Sequence, residues 1–126
     1  GHDIVSCAAF EDAIGVNAWP MEMHAQGKIE WRFPEVPVGP HQRLYNQLPW
    51  RMLVPVQLHN LLVAGRCASM THEGQSAARV SGGCFVMGQA VGTAAAHLAE
   101  SQRFSDISVQ ALQARLLSDG CYLELE

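Results

Sequence analysis

The sequence predicts a fold of the α/β class, in the form of a fragment that mixes helices and strands (mixed α+β). Three observations lead to that prediction. Apolar and polar residues alternate on both sides of Gln26-Gly27-Lys28, which predicts a β-hairpin. Residues 61–64 are all apolar and end at Gly65, a pattern that favours a strand buried on both faces, as in a parallel sheet. Residues 84–100 form a long stretch without proline, which predicts one long helix.

The composition excludes several classes of protein. The chain has 126 residues, which suits one domain, and a net charge of −4, so it lacks the basic surface that nucleic-acid binding requires. No apolar stretch reaches the ~20 residues of a membrane span. Only 16% of the residues are charged, against about 25% in an average globular domain. We therefore expect part of the surface to be covered by a partner.

The sequence predicts only short secondary-structure elements in the first half of the chain. Residues 10–16 are compatible with one or two helical turns. Strands at 21–24 and 29–33 form the predicted hairpin, with Ile29, Trp31 and Phe33 on one face. Prolines then interrupt regular structure, and a short strand is expected at 50–54.

Small residues recur along one face of the predicted long helix. Gly88, Gly92 and Ala96 are spaced by four, so they share a face on which another backbone or a flat ligand could lie close. Glycine inside a helix costs up to ~1 kcal/mol relative to alanine, which implies a reason for keeping two of them. Tight packing of the helix on a sheet is an equally good explanation.

A final helix is predicted near the end of the chain. Ser108 is a good N-cap, Val109, Leu112 and Leu116 face the core, and Gly120 occupies the position of a C′ glycine. We expect this helix to have a structural role only.

Cysteine spacing argues against a metal site. Cys7, Cys67, Cys84 and Cys121 are far apart, and the histidines supply none of the close ligand pairs that zinc sites use. We therefore predict no bound metal and four reduced thiols, as in a cytoplasmic protein.

Residues 48–99 carry a resemblance. The segments L-P-W-R-M-L-V-P at 48–55, N-L-L-V-A-G-R at 60–66 and G-Q-A-V-G-T-A-A-A at 88–96 stand in order. They resemble the C-terminal segment of FAD-dependent oxidoreductases related in fold to fumarate reductase and glutathione reductase. Upstream, W-P-M-E-M-H at 19–24 is similar to another segment of that family. The resemblance implies an incomplete FAD-binding domain, with substrate-side β pieces in residues 1–55 and the C-terminal strand and helices of the FAD domain in residues 56–126.

The resemblance also implies cofactor-binding residues. Gly65 and Arg66 correspond to the ribityl and phosphate side of FAD, and Gly88, Gln89 and Ala90 to its ring side. In the family the N-terminus of the long helix points toward the isoalloxazine, where its partial positive charge would stabilise the reduced flavin. Arg66 could equally be a surface or ion-paired arginine.

The loop between the predicted strand and the long helix holds two candidate catalytic residues, His72 and Arg79. In such enzymes this region faces the reactive side of the flavin. A histidine can transfer a proton near neutral pH, and an arginine can bind a substrate carboxylate through two hydrogen bonds. A histidine in a loop is, however, more often structural.

The chain lacks the G-x-G-x-x-G turn that binds the FAD pyrophosphate, and Gly82-Gly83 does not replace it. We therefore expect an inactive fragment whose partners are a small-molecule substrate and the rest of a parent oxidoreductase. That parent would transfer hydride or electrons between the substrate and FAD. A non-catalytic, self-associating α+β module is the alternative, and in both cases we expect a homo-oligomer.

Overall fold

Short helices and two small antiparallel sheets make up the computed structural model, which describes residues 1–37, 43–97 and 103–125. The mixed α+β class predicted from the sequence is confirmed. Its helices are α1 (His2–Val5), α2 (His72–Ala78), α3 (Ser81–His97) and α4 (Val109–Ser118), and its strands are β1 (Ala13–Asn17), β2 (Met21–Ala25), β3 (Lys28–Arg32) and β4 (Asn46–Pro49). Single turns of 3₁₀ helix occur at Trp50–Leu53, Gly65–Cys67 and Phe104–Asp106.

The predicted hairpin is confirmed. Strands β2 and β3 pair in register from Met21 opposite Arg32 to Ala25 opposite Lys28. The connection is the two-residue turn Gln26-Gly27, whose φ angles are 49° and 75°. Positive φ at both positions is what a type I′ turn requires, and glycine adopts it without strain.

Two of the short elements differ from the prediction. Residues 10–16 do not form helical turns, because most of them belong to β1, which pairs with β4. Residues 50–54 are not a strand but a 3₁₀ turn followed by extended backbone. The Asp12 carboxylate accepts a hydrogen bond of 3.0 Å from the Arg51 N–H, and this contact holds the start of the turn.

The prediction of a buried strand at residues 61–64 is wrong. These residues form no strand, and Leu61 is exposed. Their link to other backbone is the hydrogen bond of 2.9 Å from Val63 N to Leu53 O. An apolar run becomes a strand only where neighbouring strands supply a ladder of hydrogen bonds, and both sheets of the described residues are assembled elsewhere in the chain.

Helix α3 begins three residues earlier than predicted, at Ser81, and the predicted residues 98–100 lie outside the described part. The prediction of close packing along the face that carries Gly88 and Gly92 is also wrong. A Cβ atom added at Gly88 or at Gly92 would meet no atom within 4 Å, and both residues are exposed. This face of α3 is open, while Ala90 and Ala94 on the opposite face are fully buried.

The last helix agrees with its prediction. The Ser108 hydroxyl accepts a hydrogen bond of 3.2 Å from Ala111 N. At the other end Gly120 has a φ of 83°. Its N–H bonds Leu117 O, and the N–H of Cys121 bonds Leu116 O, which together form a Schellman motif.

The main core lies where β1, the 3₁₀ turn at Trp50–Leu53, α3 and α4 meet. Its fully buried side chains include Ile14, Leu53, Met87, Leu112 and Leu116. A smaller cluster under the hairpin contains Ile4, Val5, Met21 and Ala77. The hairpin is thereby packed on α1 and α2.

One buried side chain ties distant parts of the chain together. The amide of Gln47, in β4, accepts a hydrogen bond of 2.7 Å from Phe10 N. The same amide donates one of 2.7 Å to Leu123 O. Tyr45 adds a second tie, because its hydroxyl bonds both the N–H and the carbonyl of Leu125. The segment that follows α4 is thus fixed to the β1–β4 ribbon.

Candidate functional site

The two predicted catalytic residues line one cleft. His72 and Arg79 border a cavity of about 110 Å³ between α2 and the hairpin. The remaining lining residues are Glu22, Met23, His24, Gln75 and Ser76. The residues that line the cleft therefore include an arginine, two histidines and a glutamate.

Helix α2 sets the positions of both residues. Thr71 is its N-cap and accepts a hydrogen bond of 3.1 Å from Gly74 N, so the exposed His72 is the first helical residue. Arg79 is the C-cap, at the other end of the helix. Its Nη2 donates a hydrogen bond of 3.1 Å to the backbone carbonyl of Glu22. Arg79 thus fastens the hairpin to α2, and part of its hydrogen-bonding capacity is used for that purpose.

Glu73, next to His72, has a lowered pKa. Its carboxylate is stabilised first by the backbone N–H of its own residue, then by the Thr71 hydroxyl. Glu73 does not line the cleft. Its interactions are those of an acidic residue in the first turn of a helix.

A small network inside the hairpin borders the same cleft. The Glu22 carboxylate accepts a hydrogen bond of 3.3 Å from the indole Nε1 of Trp19. Its other oxygen lies 3.4 Å from Nε2 of His24. Glu22 and His24 are two residues apart in β2, so both side chains project from the same face of the strand.

The glycine and arginine of the predicted ribityl side lie against the long helix. Gly65 has a φ of 64°, and a Cβ at this position would be 3.4 Å from Sγ of Cys84 in α3. The Arg66 carbonyl accepts a hydrogen bond of 3.1 Å from the Gln75 side chain. The Arg66 side chain is exposed and makes no ion pair within the described residues.

The three residues predicted for the ring side, Gly88, Gln89 and Ala90, do not share one face of α3. Gly88 and Gln89 are exposed, whereas Ala90 is fully buried in the core. Gln89 lines a different cavity, of about 240 Å³, together with Cys121. Burial raises the pKa of the Cys121 thiol, Asp119 raises it further, and a hydrogen bond with Gln89 opposes both effects. The backbone amides of all three lie inside α3, beyond its first turn.

The N-terminal end of α3 borders a groove of about 490 Å³, while Gly83 in its first turn is buried against the Ala78 carbonyl. The first hydrogen bond of the helix runs from Cys84 N to Val80 O, so the amides of Ser81, Gly82 and Gly83 precede the helical ladder. All three residues line the groove, and Trp19 forms another part of its wall. A Cβ at Gly82 would meet nothing within 4 Å, so a flat ligand can approach the backbone there.

No group of three or more histidine, cysteine, aspartate or glutamate side chains within the described residues could hold a metal ion. The four cysteines are free. Cys67 is exposed, and Cys7 is buried.

Sequence reasoning missed the groove and the Trp19–Glu22–His24 network. The alternation in M-E-M-H could have indicated that Glu22 and His24 share a face opposite Met21 and Met23. The groove depends on where α3 begins. The sequence signal for that point is weak, because Ser81-Gly82-Gly83 is equally compatible with a loop.

Comparison with known proteins gives one match. Residues 1–116 match the protein family described as FAD dependent oxidoreductase. Neither the curated proteins nor the solved structures contain a match.

Proposed function

Since this chain belongs to the family of FAD-dependent oxidoreductases, whose match spans residues 1–116, we propose that it forms the flavin-ring side of the cofactor site in such an enzyme. FAD is the cofactor of this family. When bound, it supplies the redox chemistry by exchanging hydride or electrons with an organic substrate. The part of the chain before residue 56 would face the substrate, and the part after it would belong to the FAD domain.

The observation that carries the proposal is the groove at the start of α3. Its size lies within the usual range of ligand pockets, about 300–1,000 Å³. The amides of the exposed residues Ser81 and Gly82 and the partial positive charge of the helix favour negative charge placed there. These groups fit the pyrimidine side of a flavin, which becomes anionic on reduction. We therefore place the ring at Ser81–Gly83, two turns before the Gly88 position predicted from the sequence.

Gly65 and Arg66 keep their proposed role on the ribityl and phosphate side. Gly65 lies beside Cys84, at the end of the first turn of α3, which is close to the proposed ring position. The exposed guanidinium of Arg66 can bind an anionic group, because no ion pair within the described residues occupies it.

The cleft between α2 and the hairpin would serve the substrate. His72 can hold or release a proton there. Arg79 would act mainly by positioning the hairpin, with its remaining N–H groups available to a polar substrate atom. The cleft adjoins the groove, because Arg79 directly precedes Val80, which lines the groove.

The fragment alone would be inactive. The 126 residues contain no G-x-G-x-x-G turn, and such a turn binds the pyrophosphate of FAD. We therefore propose that another part of the protein binds the phosphates and adenosine. The isolated chain should purify colourless and bind FAD only at millimolar concentrations.

Self-association is a second candidate property, and the open face of α3 favours it. This helix has no charged residue along its 17 positions, and Phe85, Gly88 and Gly92 are exposed on it. A helix without a polar face is normally buried on all sides. A second copy of the chain, or the rest of the parent protein, would cover this face.

No helix of the described residues is long and apolar enough to cross a bilayer. The four free thiols support a reducing compartment, and we propose the cytoplasm.

Ring binding can be tested with flavins of different size. Lumiflavin should bind the chain weakly, and FAD less than tenfold more tightly, since the pyrophosphate-binding turn is absent and Arg66 is the proposed contact to a phosphate. FAD binding at least tenfold tighter than lumiflavin would contradict the proposal, and so would no binding of either.

Two glycine substitutions then locate the ring. Gly82→Asp places a negative charge in the groove and should weaken lumiflavin binding. Gly88→Asp is the matched control, because it adds the same charge to an open position of the same helix outside the groove. If Gly88→Asp weakens lumiflavin binding more than Gly82→Asp does, the ring binds at Gly88 instead.

A further inference from the structure

The outer face of the hairpin is defined by the register of its strands. Glu22 lies directly opposite Trp31, and His24 lies opposite Ile29. Side chains of directly opposed residues project from the same side of the sheet. Met21 projects from the other side and is fully buried. The outer face therefore combines a carboxylate and an imidazole with apolar side chains.

Three aromatic rings on this face are uncovered and touch one another. Trp19, Trp31 and Phe33 are exposed by 43%, 44% and 62%. The centroids of Trp19 and Trp31 are 6.1 Å apart with the rings tilted by 59°, and those of Trp31 and Phe33 are 6.4 Å apart with the rings nearly parallel. We call these three residues the aromatic patch. Exposed aromatic rings in mutual contact are typical of a binding surface.

The charge beside the patch is negative and lacks a strong cationic partner. The Glu22 carboxylate, 21% exposed, is held by Trp19 Nε1 and lies near His24. Within the described residues, it forms no ion pair with a lysine or arginine. Its cross-strand neighbour is the Trp31 side chain. A carboxylate thus lies beside the two tryptophans, bonded to one of them and directly across the hairpin from the other.

We propose that the aromatic patch and Glu22 bind an organic cation, such as a quaternary or alkylated ammonium group. The face of a tryptophan ring attracts a cation within ~6 Å of its centroid, and it attracts ammonium ligands in this way in aromatic cages. Glu22 adds an opposite charge at the same place. An anionic ligand is repelled by that carboxylate, and a neutral apolar ligand gains nothing from it.

The position of the patch connects it with the proposed cofactor site. Trp19 belongs to the patch and also lines the groove at Ser81–Gly83. If the flavin ring occupies that groove, as proposed above, a cation on the patch lies beside it. The substrate would then be an amine or ammonium compound. That assignment rests on the proposed function, whereas binding of the cation does not.

The binding itself is tested on the flavin-free chain with choline as the probe. The control ligand is the neutral alcohol in which a carbon atom replaces the ammonium nitrogen of choline. NMR spectra resolve the indole N–H signals of the three tryptophans, and the experiment is run at about pH 8, where histidine side chains are ordinarily neutral. Choline should shift the Trp19 and Trp31 signals saturably and leave that of the buried Trp50 unchanged. The neutral alcohol should bind about tenfold more weakly.

Substitutions identify the residues that bind. Glu22→Gln keeps an acceptor for the Trp19 N–H and should weaken choline binding about tenfold, as should Trp31→Ala. Phe85→Ala removes an even more exposed aromatic ring outside the patch and should change nothing. Equal binding of both ligands, no binding of choline, or no effect of Glu22→Gln would each overturn the proposal. None of these results involves flavin, so they leave the cofactor assignment to its own test.

Discussion

The guanidinium of Arg79, at the end of α2, donates a hydrogen bond to the backbone carbonyl of Glu22 in β2, with an N···O distance of 3.1 Å. This bond joins the hairpin to the helix that carries His72. Arg79, which the sequence predicts to bind substrate, therefore also attaches the hairpin to α2.

Replacing Arg79 by alanine should loosen the hairpin. Loss of a hydrogen bond from a charged donor at a half-buried position costs about 1–3 kcal/mol. Urea unfolding should show that loss, and hydrogen exchange should be faster at the amides of β2 and β3. Arg32→Ala is the control, since its exposed pair with Glu35 contributes at most about 1 kcal/mol. Equal exchange in both variants would mean that Arg79 does not fasten the hairpin.

The glycines at 15 and 92 should respond oppositely to substitution. A Cβ at Gly15 would lie 2.3 Å from Cγ1 of Val86, so Gly15→Ala should destabilise the chain by about 1–3 kcal/mol. A Cβ at Gly92 would meet no atom within 4 Å, and leucine has a higher helix propensity than glycine, so Gly92→Leu should be neutral or stabilising by up to ~1 kcal/mol. Thermal melting of both variants decides the matter, and a large loss for Gly92→Leu would show that this face is packed.

The open face of α3 should control association. Sedimentation equilibrium over a tenfold range of concentration should show self-association of the unmodified chain. Gly92→Asp places a charge in the middle of that face and should shift the chain to its monomer mass of 13.7 kDa. Gln57→Asp, at an exposed position outside α3, adds the same charge elsewhere and should leave association intact. A folded monomer without any substitution would reject the idea.

Two thiols should make stability decrease at alkaline pH. Burial raises the pKa of Cys7, which Arg43 partly offsets, and burial together with Asp119 raises that of Cys121. A raised pKa in the folded state gives stability that is complete below the pKa of the unfolded thiol and is lost as the pH rises through the folded value. Urea titrations should therefore show a decline above the pKa of an ordinary cysteine. Cys121→Ala should reduce this decline, while the exposed Cys67→Ala should leave it unchanged.

The elements that the sequence predicted well are governed by local chemistry. Gln26-Gly27 fixes the hairpin turn, and Ser108 and Gly120 fix the ends of α4, each through contacts with nearby residues in the chain. Residues 61–64 show the opposite case. Their apolar run fits a central strand, but a strand also needs pairing partners, and composition does not report them.

The candidate site was predictable only in part. His72 and Arg79, which were expected in a loop, lie at the two ends of helix α2 and line one cleft. The Arg79 bond to a backbone carbonyl has no sequence signal. The glycines of α3 were expected to pack because of their spacing. Spacing identifies a shared face of a helix and does not tell which face turns inward.

The double attachment of Gln47 has a consequence for how the chain folds. Gln47 bonds both Phe10 and Leu123, and the second of these partners lies 76 residues away along the chain. Closing so long a loop costs chain entropy before the contact stabilises the fold. Until Leu123 docks, the side-chain N–H of Gln47 needs water as its partner, because a buried donor without a hydrogen bond is costly. Burial of β4 and docking of the segment after α4 are therefore coupled steps of folding.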